Sequence, residues 1–432
     1  MKKTEDIGNA GQLDPDFGDG GVLDLKIFSD RREFEIFDSA DLQDGRSVHV
    51  VRAYDDEEYY LVSFDKHGAL IHGEQVILPY ETLPDRALSF RIKYSQLDRV
   101  ACYLPNVFWP SEDEADPIIY TSAVGCFLPN LKPQPEFGEN GIATITPADL
   151  GEKSANLNTT PKFEAFDADH AEAPVKRLYQ VTSGEAQLIN GAMWSVSSSY
   201  HEFREPPFES WISKFDEVTG KLLSAHRLEP LGSTTWEPAD VHFLKDGGFI
   251  MLAYREQQGY LTKFTDTGML DTAFNKSGYV EIPGLNYQNS CMHVHRGRIL
   301  IASTELVENA ESLLTLEAYL LTGQRDSTFQ RKSEVVKDSV IISSPHIAVD
   351  AKSRILVGFT SSMIFGRSPA PFAAMIYRFD GAGNADLSFG DAGRFVHHNA
   401  VQFRHMFLNG SEIRGVARWF DSQKPFMFKV LG

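Results

Sequence analysis

The chain has 432 residues, more than one ordinary hydrophobic core organises, so it holds either several domains or a repeat array whose core grows by addition. Its formal net charge of −19 excludes the basic footprint that nucleic acid requires and argues against docking on anionic lipid, while 42% apolar residues leave ample material for a core. Three widely separated cysteines, Cys102, Cys126 and Cys291, form no CxxC pair and indicate neither a zinc site nor a disulfide framework.

The N-terminus, MKKTEDIGNAGQLDPD, carries two lysines with no apolar run behind them and does not read as a Sec signal. No run reaches the roughly 18 apolar residues of a membrane span. The expectation is a cytoplasmic protein, or one exported without a Sec signal, with no membrane insertion.

At Gly11 the chain spells GQLDPDFGDGGV, and the phrase G-x-x-D-x-x-F returns as GMLDTAF (268–274), GQRDSTF (323–329) and GNADLSF (383–389). A degraded copy, LKPQPEF, occupies 131–137. Its glycines permit positive φ at a turn. Asp14, Asp271, Asp326 and Asp386 accept backbone N–H groups and close the turn. Phe17, Phe137, Phe274, Phe329 and Phe389 bury themselves and pin it to the core. The phrase is not a calcium loop: Asp16 becomes Ala273, Thr328 and Ser388 in the other copies, so only the turn-closing Asp persists.

Between the phrases the text is β-like. Residues 334–336, HIAVD (346–350), RILVGFTS (354–361) and AAMIYRFD (373–380) read as four strands followed by the phrase. Seven such units follow, each roughly 60 residues long, the pattern of propeller blades. The expected fold is all-β: one seven-bladed β-propeller over 1–432, with four-stranded antiparallel blades. The chain stops at Gly432, just after a strand, where a phrase is due; the segment 11–27 supplies it and closes the ring.

The phrases and DG turns such as 44–45 and 246–248 resemble the bacterial delta-60 repeat family. That resemblance implies a propeller-like repeat protein and no known activity, cofactor or catalytic residue.

In antiparallel blades the loops alternate between the two ends of the propeller. The tight turns and the phrase share one end. The long insertions 105–117, 146–174, 199–209, 305–313 and 361–371 share the other. Three of them offer Phe108, Trp109, Phe163, Phe166, Tyr200, Phe203, Arg204 and Phe208 as a surface for a protein or carbohydrate partner. His293 and His295 face one side of a strand, with His242 a conceivable companion for zinc, but two ordinary sheet histidines are the plainer reading. No cofactor fingerprint, metal motif or nucleophile motif occurs. A non-catalytic binding module is the preferred function. The alternatives are a hydrolase or lyase acting on a carbohydrate or small molecule in an axial pocket, and a structural subunit of a secretion or toxin assembly.

Overall fold

Short runs of β-branched and aromatic residues between Gly, Asp and Asn turns bury their apolar faces by pairing into sheets and stacking them. In the computed structural model the chain does this seven times. The structure describes residues 10–25, 34–42, 46–53, 59–76, 91–94, 99–109, 119–144, 184–200, 208–231, 236–255, 258–285, 290–307, 311–336, 339–363, 372–422 and 424–432. Among them, no helix is long and apolar enough to cross a membrane.

Seven antiparallel sheets close into a seven-bladed β-propeller. The first strand, β1 (Val22–Asp24), belongs to the last blade. Blade 1 holds β2 (Phe34–Asp41), β3 (Ser47–Ala53), β4 (Tyr59–Phe64) and β5 (Leu70–Val76). Blade 2 holds β6 (Arg91–Tyr94), β7 (Val100–Trp109), β8 (Ile119–Phe127) and β9 (Ile142–Thr144). Blade 3 holds β10 (Gly184–Ile189), β11 (Ala192–Tyr200), β12 (Phe208–Asp216) and β13 (Leu222–Arg227). Blade 4 holds β14 (Glu237–Phe243), β15 (Phe249–Arg255), β16 (Gln258–Phe264) and β17 (Tyr279–Ile282). Blade 5 holds β18 (Ser290–His295), β19 (Arg298–Val307), β20 (Glu311–Leu320) and β21 (Lys332–Val336). In blade 6, β22 (Ser339–Ile341) and β23 (His346–Val349) share the inner position beside β24 (Ile355–Met363), followed by β25 (Phe372–Phe379) and β26 (Arg394–His398). Blade 7 holds β27 (Ala400–Asn409), β28 (Glu412–Trp419) and β29 (Pro425–Val430), completed by β1.

The first strands of successive blades lie side by side around the axis. Second and third strands such as FIMLAYR (β15) are almost continuously apolar because neighbouring blades cover both of their faces.

The blade frame differs by one strand from the sequence reading, which placed the phrase after a fourth strand as a connector between blades. The phrase joins the third strand to the fourth within one blade, and residues 334–336 belong to β21, the fourth strand of blade 5. A repeat period marks no starting point; only pairing does. The ends on which the loops fall are unaffected by this shift.

The ring closes where the phrase at Gly11 meets β29. Leu13 bridges Val430 just as Leu270 bridges Phe264, Arg325 bridges Tyr319 and Ala385 bridges Phe379. Val22 then pairs with Phe428. A further backbone bond crosses the seam after four of the phrases: Gly138 N–H donates to Thr219 O (2.8 Å), Asn275 N–H to Thr322 O (2.8 Å), Gln330 N–H to Ala382 O (2.9 Å) and Gly390 N–H to Ala10 O (2.9 Å). The N-terminal segment is thus tied to blades 6 and 7 by the bonds that tie the phrases of blades 5 and 6.

Each phrase Phe packs into the seam with the following blade rather than under its own turn alone. Phe274 lies with Ile299 and Ile301 of blade 5, Phe329 with Ile355 and Val357 of blade 6, and Phe17 with Ile36 and Val51 of blade 1. The phrase glycine nests on the Phe of the blade before. A Cβ on Gly383 (φ +87°) would sit 2.7 Å from the Phe329 ring. Blades 1 and 3 have short turns and no phrase Phe. In the seam after blade 1 the glycine position is taken by Leu131, fully buried at φ 66°, whose side chain fills the space. In the seam after blade 3 Leu228 fills the corresponding space against Gly268.

Candidate functional site

The loops define two chemically different ends. At one, the turn end, first-to-second and third-to-fourth connections are short and tied down by the phrase. The phrase Asp is fixed by an ion pair as well as by backbone donors. Asp14 meets Lys429 at 2.7 Å, Asp271 meets Lys263 at 2.7 Å and Asp386 meets Arg378 at 2.8 Å. In each case the cation sits one residue before the third-strand residue that bridges the phrase. In blade 5 that position is Ala318, and Arg298 reaches Asp326 from β19 instead, at 2.7 Å. Lys263 holds the Asp271 carboxyl below the usual range. Burial pushes Asp14 up, but the Lys429 ammonium and the Asp16 N–H outweigh it and lower it.

The opposite end, the loop end, carries the second-to-third hairpins. Here the structure places Phe108 opposite Tyr120 and Trp109 opposite Ile119, at the tip of β7–β8. Both were expected in a loop beginning at 105; β7 runs on through Trp109. Tyr200 pairs with Phe208 at the tip of β11–β12, on the next blade. Phe163, Phe166, Phe203, Arg204 and the insertion 146–174 lie outside the described residues.

Sequence reading missed a second aromatic group at the same end, between blades 6 and 7. Asn399 N–H donates to Phe372 O, and Asn399 O accepts from Phe420 N–H, both at 3.0 Å. These bonds bring the Phe372 and Phe420 rings to 4.9 Å. Trp419 stacks on Phe426 at 4.1 Å and donates its indole N–H to Asp24 of β1 at 2.8 Å. His397 lies against Trp419 and Phe426, its pKa lowered by burial. Phe420, 39% exposed, therefore stands on a fixed base. The available signal was positional: PFAA and RWFD flank second-to-third hairpins of adjacent blades.

Around the axis the first strands carry polar groups. His405 Nδ1 lies 3.7 Å from Asp38 Oδ1, and the His346 ring packs edge-on to His405 at 6.0 Å. Asp240 accepts the Met292 N–H at 2.8 Å. Behind this layer His49 is fully buried and hydrogen-bonded to Ser39 (2.6 Å) and Ser47 (2.8 Å). Burial, reinforced by nearby His405, pushes its pKa down to about 3. His293 and His295 stack on one side of β18. Among the described residues, no group of three His, Cys, Asp or Glu side chains is placed to hold a metal. Burial raises the Cys102 thiol, and raises Cys126 to about 11, leaving both as seam filling rather than nucleophiles.

No protein-family model and no curated protein matches the sequence. Solved structures match the chain at low identity. The polysaccharide lyase Uly1 is 9% identical with a TM-score of 0.48, over 96% of this chain and 93% of that one. The β-propeller domain of the Trilobed protease from Pyrococcus furiosus, described as having an open velcro topology, is 8% identical with a TM-score of 0.44, over 92% of this chain and 96% of that one. An α-L-arabinofuranosidase from Fusarium graminearum is 9% identical with a TM-score of 0.42, over 83% of this chain and 98% of that one.

Proposed function

We propose that this propeller is a non-catalytic binding module that presents its loop end to a protein or carbohydrate partner. What carries the reading is the Phe372–Phe420–Trp419 platform. A large exposed ring held by backbone bonds and stacking loses little freedom on binding, and aromatic rings of this kind anchor both interfaces and sugars. Phe108, Trp109, Tyr200 and Phe208 at the hairpin tips of blades 2 and 3 extend the same end. A glycan array and a lysate pull-down, each run with the full chain and with Phe420→Ala, test it. The expected result is a ligand retained by the parent and weakened about tenfold or more in the variant, with an unchanged melting temperature. Equal retention by both proteins, or by neither, sinks the proposal.

The Asp38–His405–His346 group favours a second reading, a hydrolase or lyase working on a carbohydrate or small molecule at the axis. Depolymerisation of a polysaccharide panel that disappears in Asp38→Asn would establish it.

A further inference from the structure

We propose that the cleft between blades 5 and 6, at the turn end, binds a small molecule carrying a tetrahedral oxyanion, a phosphate or sulfate ester. The cleft has a volume of about 550 Å³. Three separate turns build its wall: 295–298 of blade 5, the phrase residues 326–328, and the turn of blade 6 at Ser353, with Gly381 beside it. Leu300, Val349 and Ile355 supply an apolar floor.

The charge on this wall is unlike that of the rest of a chain with net charge −19. The turn HRGR contributes His295, Arg296 and Arg298 with no acid among them. The one acid on the wall, Asp326, is already used. Its Oδ2 takes Arg298 Nε at 2.7 Å, and its Oδ1 takes the Thr328 N–H at 2.9 Å and hydroxyl at 2.6 Å.

Arg298 is anchored but not exhausted. Its Nη1 donates to Gly381 O at 2.6 Å across the seam, whereas Nη2 has only a long contact, 3.4 Å, to Thr328 Oγ1. Arg46 and Arg99 hold the same repeat position and clamp the next blade likewise, on Pro129 O and Glu217 O. The clamp is therefore general, and Arg296 and His295 are what distinguish this seam. Arg296 is exposed and donates to Ser353 Oγ at 3.2 Å. His295 Nε2 is buried and lacks a hydrogen-bond partner among the described residues. Two guanidiniums, an imidazole and the hydroxyl of Ser353 form a donor set suited to a group with three or four oxygens and more than one negative charge. The apolar floor suits the organic body that bears it.

Titration of the full chain with inorganic phosphate, sulfate and acetate, followed by calorimetry or amide NMR at low ionic strength, tests the site. Phosphate and sulfate should bind saturably and more tightly than acetate. Arg296→Ala should weaken phosphate about tenfold or more without changing the melting temperature, because the side chain is exposed. Lys132→Ala, the same charge change at an exposed site in blade 2, should leave affinity unaltered. No saturable binding, equal affinity in Arg296→Ala, an equal loss in Lys132→Ala, or acetate bound as tightly as phosphate would overturn the proposal. The loop end plays no part in this test, so its outcome is independent of the binding-module reading.

Discussion

Leu131 shows how one residue balances two opposed terms. Its φ of 66° is a conformation that glycine adopts freely and that strains an L-residue by about 1–2 kcal/mol. Its fully buried side chain fills a seam that has no phrase Phe, and emptying such a site costs about 3–5 kcal/mol. Leu131→Gly should therefore destabilise the protein by about 2 kcal/mol, measured by urea unfolding, although relief of strain alone predicts the opposite. His49 makes a prediction of a different kind. The folded state keeps it neutral down to about pH 3, whereas the unfolded chain takes up a proton below its ordinary value of 6.5. The stability due to its neutral burial is complete above pH 6.5 and falls toward pH 3, by about 1.4 kcal/mol per unit. Replacing His49 with Gln should flatten the decline in unfolding free energy between pH 6.5 and 4.5 by that slope. An unchanged slope would show that the burial is relieved in solution. At this scale the phrase Asp and Phe were legible because each repeats. Their partners were not: Lys263 and Arg378, eight residues before Asp271 and Asp386, read as ordinary strand residues, and Arg298 and Lys429 lie far in sequence from Asp326 and Asp14.

The phrase behaves as one element. Asp fixes the turn to its own third strand, Phe pins the next blade, and the glycine receives the Phe from the blade before. Phe274→Ala should lower stability by about 3–5 kcal/mol, because the ring leaves a cavity between two blades instead of inside one. Unfolding followed separately at Trp236 of blade 4 and at blade 6 would show whether the damage stays at its seam; a uniform loss across the propeller would contradict the local assignment. The strands were largely legible from their apolar content, since second and third strands are covered on both sides. Their frame was not, because a turn between strands three and four and a connector between blades occupy equivalent places in a repeat. The hairpin tips were misjudged for a related reason: PNVF carries polar residues and a proline, and its continued pairing in β7 depends on β8.

For the whole molecule, closure rests on β1. Removing residues 1–25 should expose the edge of β29, strip Phe17 from the seam with blade 1 and lower the melting temperature of the entire propeller. An unchanged melting curve would refute closure by this strand. The candidate sites were the least legible level. The Phe372–Phe420 contact joins residues from two blades, and the cleft at Arg296 draws on three turns far apart in sequence. Neither has a local pattern, since both arise only when blades become neighbours.

The pairing of Val22 with Phe428 also sets an order of events during synthesis. β1 leaves the ribosome ahead of blades 1 to 6 and finds its partner, β29, only after all of them have been made. Meanwhile β1 and Phe17 travel as an unpaired apolar segment, and blades 1 to 6 assemble beside an open gap. Long-range pairing of this kind is slow and exposed to wrong partners, including the β29 edge of another copy. A rearranged gene that begins at residue 26 and carries residues 10–25 after Gly432 would bring the two strands together at once, and should refold faster than the natural order.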